Sequence, residues 1–144
     1  MNSRSIEKGK QRVRHFRRAR EGRQNELAED YVELIADLIE QTGEARVVDL
    51  ATRLGVSKAT VNNAVQRLQR DGLVTTKPYR AIFLTDRGQD LALATRERHI
   101  VVKEFLVAIG VDPAVAEGDA EGIEHHVSAP TLAAFRSYLR KAQC

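Results

Sequence analysis

The sequence predicts a mainly α-helical fold with one small β-hairpin, and three observations carry that expectation. Apolar residues recur at helical spacing through most of the chain. Gly43, Gly55, Gly72 and Gly110 stand where those periodic segments end. Only residues 73–84 are rich in strand formers.

The elements follow in order. Leu27, Tyr31, Leu34, Ile35, Leu38 and Ile39 define an amphipathic helix over about residues 26–41. Apart from Gly22, nothing from Lys10 to Glu26 opposes its extension backward. Val47, Leu50, Ala51 and Leu54 mark a short second helix, ended by Gly55. Ser57 suits the N-cap of a third, which turns Val61, Val65 and Leu68 inward and closes at Gly72. Leu73-Val74-Thr75-Thr76 and Ala81-Ile82-Phe83-Leu84 read as strands joined by Lys77-Pro78-Tyr79-Arg80. Thr85 caps a long helix running to about Ile109. Asp112-Pro113 opens a short helix, a helical Glu121–His126 segment follows, and Ser128 caps the last helix through Leu132, Phe135 and Leu139. Three helices followed by a hairpin is the order of a winged helix-turn-helix, here with a helical domain after it.

The 144 residues, 42% of them apolar, suffice for one compact domain or for a small DNA-binding domain with a helical partner. No apolar run approaches a membrane span, and no apolar stretch follows the basic N-terminus as a secretory signal requires. The single cysteine, Cys144, is the last residue. The expectation is a cytoplasmic protein without a membrane partner, a disulfide framework or a thiolate metal site. Residues 1–25 hold nine Lys and Arg against Glu7 and Glu21, whereas the remainder is mildly acidic. Such an arm suits phosphate contact, with a solvated tail as the plainer alternative.

At the start of the third helix Ser57, Lys58, Thr60, Asn62, Asn63 and Gln66 offer short or amide side chains of the kind that reach base edges and phosphates. Lys77 and Arg80 add positive charge on the wing. A polar helix face alone is commonplace. Its combination with the preceding turn and the wing points to double-stranded DNA.

A second constellation points to metal. In a helical Glu121-Gly122-Ile123-Glu124-His125-His126, Glu121, Glu124 and His125 stand at i, i+3 and i+4 and share one face. Asp30 and Glu33 offer two more carboxylates at i, i+3 far upstream. Carboxylate oxygens suit hard cations and imidazole suits borderline ones. His126 points about a hundred degrees from His125 on a helix and reads as a capping or supporting residue. There is no H-E-x-x-H arrangement, and no spare base remains once the ligands are assigned, so an enzyme is not expected.

Asp30-Tyr31-Val32-Glu33-Leu34-Ile35, Leu54-Gly55-Val56-Ser57, Arg96-Glu97-Arg98-His99 and the Glu121–His126 segment together resemble the manganese transport regulators, a branch of the diphtheria-toxin-repressor family. The resemblance runs from about residue 26 to 139 and implies a homodimer of two-domain subunits. Residues 1–25 would be a basic arm, 26–92 the winged domain, and 93–144 the helical metal-binding and dimerisation domain. By position it implies Asp30, Glu33, His99, Glu121, Glu124 and His125 as ligands of two neighbouring Mn2+ ions. It further implies repression of manganese uptake genes from a palindromic operator. Iron-sensing relatives typically carry methionine and cysteine at the positions of Asp30 and Glu121, so two carboxylates here favour Mn2+ over Fe2+. Lys103 stands where those relatives place a glutamate of a separate ancillary site. A same-fold regulator answering to Fe2+ or to several divalent metals is the alternative.

Overall fold

The computed structural model describes residues 3–78 and 81–143. The order is α1 (Ser3–Thr42), β1 (Ala45–Arg46), α2 (Val47–Leu54), α3 (Lys58–Arg70), β2 (Val74–Lys77), β3 (Ala81–Leu84), α4 (Asp86–Ala108), α5 (Pro113–Ile123) and α6 (Ala129–Ala142). The chain divides into two compact units, one of residues 28–100 and one formed by the chain up to Leu27 with the chain from Val101 onward. No helix among the described residues is long and apolar enough to cross a membrane.

The 28–100 unit is built on a single apolar core. Val32 and Ile35 of α1, Leu50 of α2, Val61 of α3, Val74 of β2 and Ile82 of β3 are all essentially inaccessible. Each such side chain contributes about 1.5–3 kcal/mol relative to exposure. Gly55 ends α2 in the left-handed region at φ 67, which glycine adopts without a Cβ clash. Ser57 starts α3 by accepting the Thr60 N–H at 3.1 Å. Thr85 joins two segments: its hydroxyl donates to the Gly72 carbonyl at 2.6 Å and accepts the Gly88 N–H at 3.1 Å.

The first helix is continuous from Ser3, taking up the backward extension that the sequence permits. The sheet departs from expectation, with three antiparallel strands in the order β1-β3-β2 instead of two. The added strand is only Ala45–Arg46, paired with Ile82 and Ala81. Two residues cannot display an alternating pattern, so partnership across the sequence alone defines it.

In the other unit Val102, Ala120 and Leu132 form a small core. Phe105 stacks on Phe135 with ring centroids 3.9 Å apart and meets Tyr138 edge-on at 5.4 Å. The short helix expected after Asp112 and the helix expected at Glu121–His126 are one helix, α5, followed by a turn over residues 124–126. Asp112 caps it by accepting the Ala114 N–H at 3.1 Å, and Pro113 occupies its first turn, where no intrahelical N–H is needed.

Candidate metal centre and DNA-facing helix

In the 28–100 unit Asp30 and Glu33 lie one turn apart on α1, both partly exposed. Buried Tyr31 and Val32 set the rotation of the helix between them. Burial also raises the Tyr31 phenol above its ordinary pKa, by desolvating the phenolate. His99 is partly exposed on α4. The residues beside these candidates register the two helices: Arg98 donates to Glu29 at 2.7 Å, with side chains 20% and 7% exposed. Nearby, Arg96 of α4 pairs with Asp37 of α1 at 2.6 Å. The part-buried Glu29–Arg98 contact ties α1 to α4 within this unit.

In the other unit Glu121 is exposed on α5. Glu124 occupies its C-cap at φ −56, ψ −32, so the backbone is still helical where the regular helix ends. The i, i+3 offset from Glu121 therefore survives, and carboxylate oxygens of the two residues lie within 4.8 Å of each other. Glu124 is 1% and His125 5% exposed, with His125 Nε2 3.3 Å from Glu124 Oε1. A carboxylate and an imidazole buried side by side carry a desolvation penalty that a bound cation offsets. The donors are oxygen and imidazole nitrogen without sulfur, which fits a hard or borderline divalent ion. Glu33 joins no cluster of three metal-ligating side chains among the described residues.

Sequence alone did not single out Glu26. It precedes Asp30 by four residues on α1, and one of its carboxylate oxygens lies within 4.8 Å of a ring nitrogen of His125. The i, i+4 spacing to Asp30 was the available signal.

On α3, Val61, Val65 and Leu68 face the core. Ser57, Lys58, Thr60, Asn63 and Gln66 are exposed and Asn62 partly so. Ser57 and Thr60 are committed to the helix cap, their hydroxyls 2.9 Å apart, whereas Lys58, Asn62, Asn63 and Gln66 take no part in it. Lys77 is exposed on β2, its ammonium 5.1 Å from the centroid of the Phe83 ring. Arg80 lies outside the described residues.

Comparison with known proteins finds two family domains in the chain. Residues 25–82 match the family described as iron dependent repressor, N-terminal DNA binding domain. Residues 85–144 match iron dependent repressor, metal binding and dimerisation domain. The transcriptional regulator MntR of Escherichia coli is 53% identical over 90% of this chain and 83% of its own length. Its Salmonella typhimurium counterpart is 50% identical over 90% and 82%. The HTH-type transcriptional regulator MntR of Listeria monocytogenes is 44% identical over 69% and 70%. Among solved structures, a manganese-dependent transcriptional repressor in complex with manganese is 33% identical with a TM-score of 0.68, covering 78% of this chain and 52% of that one. The manganese regulator SloR gives a TM-score of 0.68 at 26% identity, over 78% and 53%. The chain thus spans about half the length of these solved relatives. Helices, wing and carboxylate-rich segment coincide with both family domains, and the chain belongs to the iron-dependent, diphtheria-toxin-repressor-type regulators, in their manganese transport regulator branch.

Proposed function

We propose that this protein is a manganese-responsive, DNA-binding transcriptional repressor acting as a homodimer in the cytoplasm. One observation carries the reading. A chain with a family DNA-binding domain buries a Glu124–His125 pair beside Glu121, a set of oxygen and nitrogen donors that suits a divalent cation. Asp30, Glu33, His99, Glu121, Glu124 and His125 would hold the metal, with two Mn2+ ions as the expected complement. When bound, the ions supply the positive charge that offsets these acids.

On this reading the carboxylates of Asp30, Glu33, Glu121 and Glu124 would repel one another without metal. With that repulsion offset, the protein would favour the form in which two copies of α3 match half-sites of a palindromic operator. Metal selects this form only to the extent that it binds it better. A coupling of about 1–3 kcal/mol, or about 5–150-fold in operator affinity, is typical of such switches.

The test is fluorescence anisotropy with operator DNA from a manganese importer promoter at fixed salt, titrating Mn2+ and then Fe2+ under anoxic conditions. Binding is expected to tighten with Mn2+, and Asp30→Ala is expected to keep the fold by circular dichroism while losing the metal response. Equal binding in chelator rejects the switch. A response to Fe2+ at lower concentration than to Mn2+ replaces the manganese assignment with an iron one.

A further inference from the structure

Three residues outside the six proposed ligands form a compact arrangement on the metal-binding side: Gly22 and Glu26 on α1, and His126 in the turn after α5. His126 Nε2 and Glu26 Oε2 are 3.3 Å apart, with side chains 41% and 35% exposed. The His126 ring lies so close to α1 that a Cβ at Gly22 would stand 2.6 Å from Nδ1 and displace it. Glycine is otherwise a poor residue for a helix interior, so its presence between Ser3 and Thr42 has a packing reason here. Glu26 is thus held by a histidine next to His125, and its carboxylate reaches within 4.8 Å of the His125 ring. One helical turn further along α1 stands Asp30.

We propose that Glu26 is an additional ligand of the manganese centre, donating a carboxylate oxygen beside His125, and that His126 is the positioning residue that aims it. This rests on the metal-responsive reading above. Ligating carboxylates are commonly hydrogen-bonded in turn, and the Glu26–His126 contact is of that kind. Two ligands of one divalent ion, each at about 2.0–2.2 Å, are at most about 4.4 Å apart. At 4.8 Å or less, the Glu26 and His125 ligand atoms are near the separation that one ion would span. A cleft of about 490 Å3 lined by Glu26, Asp119, Ile123 and His126 gives the carboxylate access to solvent. A further oxygen raises the preference for a hard ion over softer competitors, because zinc and copper gain less from a carboxylate than from nitrogen or sulfur.

The experiment is Mn2+ binding to the full-length metal-free protein without DNA, read by the electron paramagnetic resonance of free Mn2+ and by titration calorimetry. The set is the unaltered protein, Glu26→Gln, His126→Asn and Glu124→Gln, each checked for helicity. Glu26→Gln is expected to weaken Mn2+ binding by about 10–100-fold, with His126→Asn weakening it less and both remaining folded. Zn2+ affinity is expected to change less than Mn2+ affinity in both. Unchanged Mn2+ affinity and stoichiometry in Glu26→Gln, with binding abolished in Glu124→Gln, overturns the Glu26 assignment and leaves the metal centre standing. No Mn2+ binding by the unaltered protein overturns the parent reading, and this proposal with it.

Discussion

Gly88→Ala is predicted to destabilise the 28–100 unit, although alanine is the better helix former. Gly88 lies in the first turn of α4, where a Cβ would stand 2.1 Å from the carbonyl oxygen of Leu73 and 3.1 Å from its carbon. An ordinary carbon–oxygen contact is about 3.3–3.6 Å, so α4 and the Leu73 backbone must part by roughly an ångström. The obstacle is backbone, and that carbonyl already accepts the Thr85 N–H at 3.0 Å. Overpacking of this kind costs about 1–3 kcal/mol. Disturbing the hydrogen bond adds about 1 kcal/mol, and the gain in helix propensity returns about the same amount. The net expectation is a loss of about 1–3 kcal/mol, or a fall of about 4–8 °C in melting temperature per kcal/mol for a unit of this size. Gly118→Ala is the control, because nothing lies within 4 Å of a Cβ there and the position is inside α5. It is expected to stabilise by about 0.4–1 kcal/mol. Scanning calorimetry of the two variants beside the parent decides the matter. A Gly88→Ala protein as stable as Gly118→Ala would refute the close approach of α4 to Leu73. The consequence reaches function because Leu73 leads into β2, which carries Lys77 on the wing.

Two further predictions concern DNA. Alanine at Asn62 or Asn63 is expected to relax sequence preference at one operator position, at a cost of about 1–3 kcal/mol against the preferred base. Competition binding against operators varied one base pair at a time checks this, and unchanged preference removes both residues from the reading set. Deleting residues 1–25 is expected to weaken operator binding at low salt and to flatten its salt dependence by about 0.9 in log–log slope for each phosphate that the arm had neutralised. A parallel salt series of full-length and truncated protein measures it, and an unchanged slope means that the arm's nine cationic side chains do not touch DNA.

What could be read from the sequence, and what could not, divides along a physical line. The third helix was legible because every signal for it is local: Ser57 caps within three residues, Val61, Val65 and Leu68 repeat at helical spacing, and the glycine at 72 takes a positive φ of 75. The carboxylates of Glu121 and Glu124 were legible for the same reason, since an i, i+3 spacing is itself the geometry. The structure adds contacts that no local rule encodes. Arg98 meets Glu29 across 69 residues, and His126 meets Glu26 across 100. Ala45 pairs with Ile82 in a strand too short to have a pattern. Periodicity and capping describe how a segment satisfies itself, whereas these pairs state which segment it chooses. Glu26 shows the consequence. Read locally, it is a charged residue where a basic arm gives way to an amphipathic helix, and only its i, i+4 spacing to Asp30 hints at more. Only the turn after α5, which brings His125 and His126 to it, gives that carboxylate a chemical task. Gly22 argues the same way, because a residue that looked like a weakness in the helix is the one that lets the histidine ring approach.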